Sequence, residues 1–148
     1  MMDIRELYQE MIIDHNRNPR HHYAMAHATT EAQGFNPLCG DKLTVYLKLE
    51  QQKVTDISFV GCGCAISQAS ASMMTEAICG KTIDEAHHLF EKFHQFMTSD
   101  EPENVFDEEK LAVLSGVRVF PARVKCATLA WHTLDAALRK DKQPVSTE

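Results

Sequence analysis

Apolar residues recur at Ile4, Leu7, Tyr8, Met11 and Ile12, a stripe at helical spacing that predicts a first helix over residues 3–17. Asn18-Pro19 ends it, since proline pushes the preceding residue out of the helical region. Over 20–33 the period is lost and His21, His22 and His27 punctuate a loop, although part of 29–34 fits an added edge strand. Residues 43–49 then alternate apolar and polar side chains, and 54–60 repeat the alternation after a short polar turn at 50–53. That pattern predicts an antiparallel hairpin. A helix follows over 65–79, with Gly80 as its cap. Thr82 and Glu85 stand at capping-box spacing and open a helix that reaches about Met97. Residues 99–106 are acidic with a proline, hence a surface loop; Asp107 caps a short helix over 108–115, closed by Gly116. Pro121 suits the first turn of the last helix, which carries Leu129, Trp131, Leu134 and Leu138. Residues 142–148 read as a frayed, flexible tail. Without repeats or a linker, residues 1–148 are expected to form one α+β domain, an antiparallel sheet with helices gathered on one side.

Composition narrows the function. A net charge of −6 with no Lys/Arg cluster argues against a nucleic-acid partner. No apolar run approaches the ~18 residues that would span a bilayer. The acidic, amphipathic start does not read as a signal peptide, so a cytoplasmic location and no membrane partner are expected. There thiols stay reduced, and an odd count of 5 cysteines favours metal or sulfur chemistry over disulfides.

Three of those cysteines sit where a metal site is easily built. Cys39 lies in Asn36-Pro37-Leu38-Cys39-Gly40-Asp41, where Gly40 allows the sharp turn that donors at i and i+2 need to share an ion. Cys64 closes Gly61-Cys62-Gly63-Cys64 directly before a helix, facing the positive end that lowers a thiol's pKa. Cys126 is expected in or near the first turn of the last helix, for the same benefit. With Asp41 as a fourth donor, three thiolates and one carboxylate suit tetrahedral zinc, and Arg123 and Lys125 can balance the surplus negative charge. Cys62 reads as an accessory thiol and Cys79 as a buried small hydrophobe. His87, His88 and His94 fit a helix face, and His132 lies nearly two turns past Cys126.

The motifs Asn36–Asp41, Gly63-Cys64-Ala65-Ile66-Ser67 with Ala69-Ser70-Ala71-Ser72, and Phe120-Pro121-Ala122-Arg123-Val124-Lys125-Cys126-Ala127-Thr128-Leu129 together resemble the U-type iron–sulfur cluster assembly proteins. Leu7-Tyr8 and Asp14-His15 with Asn18-Pro19-Arg20 extend the likeness to the first helix. The match is closer to SufU than to IscU. An extra segment occupies about 99–116, and Lys125 stands where IscU proteins carry a histidine. The resemblance implies three antiparallel strands packed by helices, and zinc on Cys39, Asp41, Cys64 and Cys126. It also implies a partner, a PLP-dependent cysteine desulfurase of the SufS type whose persulfide sulfur is accepted and handed on to a downstream cluster scaffold or apo-protein. The chain would then act as a zinc-dependent sulfurtransferase partner. Cys62 stands where the family usually has no cysteine.

On a glycine-hinged loop, Cys39 is expected to be the sulfur acceptor, since thiol exchange needs a thiolate and an open approach. Arg123 would steer the anionic persulfide or brace Asp41. The alternative is a scaffold that assembles and releases a [2Fe–2S] cluster, or binds iron, on the same three cysteines, with Asp41 making the cluster labile. A purely structural zinc site is less well matched, because such sites use paired C-x-x-C knuckles that this chain lacks.

Overall fold

The structure is a computed structural model and describes residues 4–99, 109–118, 120–140 and 144–146. Helix α1 spans Ile4–Arg17, followed by strands β1 (Thr30–Asn36), β2 (Asp41–Glu50) and β3 (Lys53–Cys62). Helices α2 (Ala65–Ile78), α3 (Ile83–Thr98) and α4 (Glu109–Ala112) come next, the last running into a 3-10 turn, Val113–Val117. Helix α5 (Pro121–Leu138) and a short strand β4 (Val145–Ser146) complete the order. The expected acidic loop beyond Ser99 and the Asp107 cap lie outside the described residues, as do residues 142, 143, 147 and 148 of the expected tail.

The strands lie in the order β3-β2-β1-β4, with the first three antiparallel. This corrects the expected three strands to four. The added strand comes from the segment read as tail: Val145 and Ser146 pair in parallel with Gly34 and Phe35. Two residues after a proline carry no hydrophobic period, so only the long-range pairing defines them. Gln51 and Gln52, both with positive φ, form the two-residue turn between β2 and β3.

Alternation along the strands sends Leu43, Val45 and Leu47 inward with Ala32, Ile57 and Phe59, and all six are buried. Helix α5 packs over β1 and β2, α2 over β3, and α1 against the far side of α2. The small residues Ala69–Ser72 make those contacts possible on both faces of α2. Ser70 donates to the Ala127 carbonyl of α5 at 2.5 Å, while Ser72 meets His15 Nδ1 of α1 at 2.7 Å. Thr82 and Glu85 form the capping box expected for α3.

Gly34 marks the tightest strand–helix approach. A Cβ there would lie 2.1 Å from Thr133 Oγ1, and that hydroxyl is already committed to the Leu129 carbonyl at 2.7 Å. Gly34→Ala is therefore expected to destabilise the fold by about 1–3 kcal/mol through overpacking. Urea unfolding followed by circular dichroism checks this, and an unchanged midpoint would show that β1 and α5 can separate freely.

Candidate metal and thiol site

The site forms where β1 turns into β2 and where α2 and α5 begin. Asn36 ends β1, is fully buried, and organises the turn. Its carbonyl accepts from Cys39 N (3.3 Å) and Gly40 N (2.9 Å), and its Oδ1 accepts from Leu38 N (3.2 Å). Gly40 has φ +73° with open space around it, so the demand for glycine is conformational rather than steric. The turn leaves Cys39 exposed and delivers Asp41, buried, to the first position of β2.

Asp41 Oδ1 accepts from the backbone N of Cys64 at 2.8 Å. Gly63 makes that approach possible, since a Cβ at this position would meet the same oxygen at 2.5 Å. Asp41 Oδ2 is buried with no hydrogen-bond partner among the described residues. An orphaned carboxylate oxygen of this kind costs on the order of 1–3 kcal/mol or more unless something positive reaches it.

Cys126 is buried at the sixth residue of α5, one turn deeper than the sequence suggests. There the helix end no longer acts on its sulfur with full strength. Burial pushes the Cys126 thiol up, with further upward contributions from the neighbouring Cys39, Asp41 and Cys64. The reason is physical: in a dry pocket beside other acidic groups, a second negative charge is disfavoured unless a cation shares the space. The Cys39 and Cys126 sulfurs lie 3.2 Å apart, and Asn36 Nδ2 donates to Cys126 Sγ at 3.6 Å.

Cys39, Asp41 and Cys126 offer donor atoms within 4.8 Å of one another. The Cys64 sulfur does not join that set. Cys64 is the N-cap of α2, and its Sγ accepts from Ser67 N at 3.4 Å. Its backbone therefore braces Asp41 while its side chain caps a helix at the rim. Arg123 is exposed in the first turn of α5, and no ion pair to it is found among the described residues.

Other thiols and imidazoles lie elsewhere. Cys62 pairs with Lys42 at the end of β3 and is exposed like it, whereas Asp41 and Leu43 on either side of Lys42 are buried. Cys62 thus shares the outer face with Lys42, away from Asp41. Cys79 caps the C-terminus of α2 and is exposed rather than a buried hydrophobe. Lys125, half-buried, lines a groove of about 430 Å³ with His94, Arg118 and His132 instead of facing the thiols. Sequence reasoning gave Asn36 and Gly63 no role of their own. The visible signals were an Asn-Pro step at a strand end and a glycine directly before a helix.

His132 is packed edge-on against Phe90 (5.3 Å between ring centroids) and beside His94 (5.1 Å). Burial lowers its pKa from the ordinary 6.5, the His94 charge lowers it further, and Asp135 opposes both. The folded state therefore takes up this proton later than the unfolded chain does. The associated stability is complete above about pH 6.5 and is lost as pH falls through the folded-state value. His87, raised mainly by its hydrogen bond to Asp135, acts with the opposite sign. A comparison of wild type with His132→Gln cancels that term. The variant is expected to gain in relative urea midpoint between pH 6.5 and 5, and a constant difference would refute the burial effect.

The family of NifU-like N terminal domains matches residues 7–145. The zinc-dependent sulfurtransferase SufU of Bacillus subtilis is 40% identical over 136 residues, covering 92% of each chain. The iron-sulfur cluster assembly scaffold protein IscU of Thermotoga maritima is 40% identical over 146 residues, 97% of this chain and 100% of that protein. Among solved structures, a candidate iron-sulfur cluster assembly scaffold protein for the SUF system from Fervidobacterium islandicum AW-1 superposes with a TM-score of 0.78. It is 37% identical, covering 89% of this chain and 96% of that one. No described helix is long and apolar enough to cross a membrane.

Proposed function

We propose, on the premise that this chain belongs to the NifU-like N terminal domain family of iron–sulfur cluster assembly proteins, that it carries sulfur for cluster building and that Cys39 is the acceptor. The observation that carries the reading is Asp41 Oδ2, buried without a partner beside two sulfurs 3.2 Å apart. Thiolates and a carboxylate are the donor chemistry zinc takes, and a cation is what an orphaned buried carboxylate lacks. The residues fit the metal. Cys39, Asp41 and Cys126 would hold it, and Cys64 would be the fourth donor once its sulfur turns from Ser67 N. Bound zinc would keep the sulfurs deprotonated at neutral pH and shield them from oxidation.

The acceptor step belongs to this chain's own residues. Cys39 stands exposed on a turn hinged at Gly40, open to the persulfide of a PLP-dependent cysteine desulfurase of the SufS type. Attack by the Cys39 thiolate on the outer persulfide sulfur moves that sulfur to Cys39 and returns the desulfurase cysteine as a thiolate. The exposed Arg123 would draw the anionic persulfide in. Leu38, next to Cys39, and Phe120, which caps α5, are large exposed apolar side chains and suit a protein partner at this end of the sheet. The sulfur would then pass to a downstream cluster scaffold or apo-protein.

The scaffold name of the Thermotoga relative favours a second reading, in which a [2Fe–2S] cluster is assembled here as cargo and released. Three measurements separate them: the metal bound in the purified protein, desulfurase turnover with and without that protein, and anaerobic reconstitution with iron and sulfide. Tightly held zinc with accelerated turnover supports the sulfur carrier. A stable visible chromophore after anaerobic reconstitution with iron and sulfide, transferable to an apo-acceptor, would overturn it in favour of the scaffold.

A further inference from the structure

The Cys39 and Cys126 sulfurs are 3.2 Å apart, inside the distance at which reacting atoms are poised for attack. A disulfide needs them about 1 Å closer. Cys39 can supply that movement, because its turn is exposed and hinged at Gly40. Cys126 is held still, buried in α5 with the Asn36 amide on its sulfur. Cys62 shares the outer face with Lys42, and Cys79 caps the far end of α2. Cys64 lies near Cys126, but its Sγ is engaged by Ser67 N, whereas Cys39 Sγ faces Cys126 directly.

From this geometry we infer that Cys126 resolves a persulfide carried on Cys39, releasing its outer sulfur as sulfide and leaving a Cys39–Cys126 disulfide. The inference rests on the reading of Cys39 as sulfur acceptor and adds what happens to the sulfur next. Cys126 Sγ attacks Cys39 Sγ. The Cys39–Cys126 bond forms as the bond from Cys39 to the outer sulfur breaks. The anionic outer sulfur takes the Cys126 proton before the attack, which makes Cys126 the thiolate that exchange needs, and then leaves with the bonding electron pair as hydrosulfide. The Cys126 sulfur is oxidised and the outer sulfur reduced by the same electron, so one turnover needs no outside reductant. Restoring the two thiols takes two electrons from a thiol or dithiol reductant. The activity belongs to the metal-free site, where Cys126 is not engaged as a ligand.

The test uses the full chain loaded anaerobically, with its metal in place, by a cysteine desulfurase with cysteine, and then freed of metal with a chelator. Small molecules are removed and no reductant is added. Wild type is expected to release about one sulfide per persulfide and to yield a Cys39–Cys126 cross-linked peptide by mass spectrometry. Cys126→Ser and Cys126→Ala are expected to keep the sulfur on Cys39 and to release sulfide at least tenfold more slowly. If wild type holds its Cys39 persulfide as long as the variants do, the inference fails while the acceptor reading stands. If no persulfide forms on Cys39 in any of them, both fail together. Treatment of unloaded wild type with diamide, a thiol oxidant, needs neither variant nor sulfur. It should join Cys39 to Cys126, and a cross-link through Cys62 or Cys64 instead would overturn the geometry on which the step depends.

Discussion

Cys39→Ser is expected to lower sulfur acceptance from a cysteine desulfurase to background, a fall of at least about a hundredfold, as when a nucleophile itself is removed. Serine keeps nearly the same shape, but its hydroxyl stays protonated at neutral pH and does not exchange with sulfur. Because Cys39 is exposed on a turn, the change empties no core space, and stability compared in the metal-free proteins should stay within about 0.5 kcal/mol of wild type. That separation makes the variant more informative than any change at buried Cys126, where lost packing and lost chemistry coincide. Mass-spectrometric detection of persulfide after incubation with desulfurase and cysteine provides the readout, alongside desulfurase turnover. Full acceptance by Cys39→Ser would move the role to another thiol. Cys64, half-buried and capping α2, would be the first to examine.

The local grammar of the chain was readable because it depends on neighbours in sequence. The β2–β3 alternation, the Thr82–Glu85 box and the Asn18-Pro19 stop each follow from a handful of adjacent residues. Strand β1 was only half visible, since Gly34 breaks its hydrophobic signal, and the reason for that glycine is Thr133, almost a hundred residues away. The fourth strand was invisible for a similar reason: Val145 and Ser146 become a strand only by pairing with Gly34 and Phe35. At the site, the residue types and the Gly40 turn were legible, but side-chain direction was not. A one-residue difference in phase separates the outward Cys62 from a residue facing Asp41. The depth of Cys126 follows from where Pro121 starts α5, and the aim of Cys64 from its duty as a helix cap. The first was open to counting from Pro121; the second is a three-dimensional fact that spacing alone does not encode. The U-type resemblance brought Cys39 and Cys126 together on paper; the Asn36 turn and the packing of α5 on β1 do so in the molecule, while the α2–α5 contact sets Cys64 beside them.

That α2–α5 contact underlies the largest expected loss of stability. Trp131 is completely buried in α5 and stacks on Phe93 of α3 with ring centroids 4.5 Å apart. Its indole N–H donates to Ser70 Oγ of α2 at 3.2 Å, and Ser70 in turn donates to the Ala127 carbonyl next to Cys126. One side chain therefore ties three helices, two of which present Cys64 and Cys126. Trp131→Ala removes the ring's burial and opens a cavity in a well-packed region, a change that costs about 3–5 kcal/mol. For a fold whose total stability is of order 5–15 kcal/mol, that approaches the threshold of unfolding. Trp131→Phe keeps most of the apolar volume, loses the indole donor, and should cost distinctly less. The chain contains 1 tryptophan, so unfolding of these variants must be followed by circular dichroism rather than tryptophan fluorescence. Because the cavity lies between the helices that carry Cys64 and Cys126, the zinc reading of the site predicts that Trp131→Ala also retains the metal less well during dialysis than Trp131→Phe. A loss below about 1 kcal/mol for Trp131→Ala would mean that α2 and α5 are held together by other contacts, and that the thiol site does not depend on this clamp.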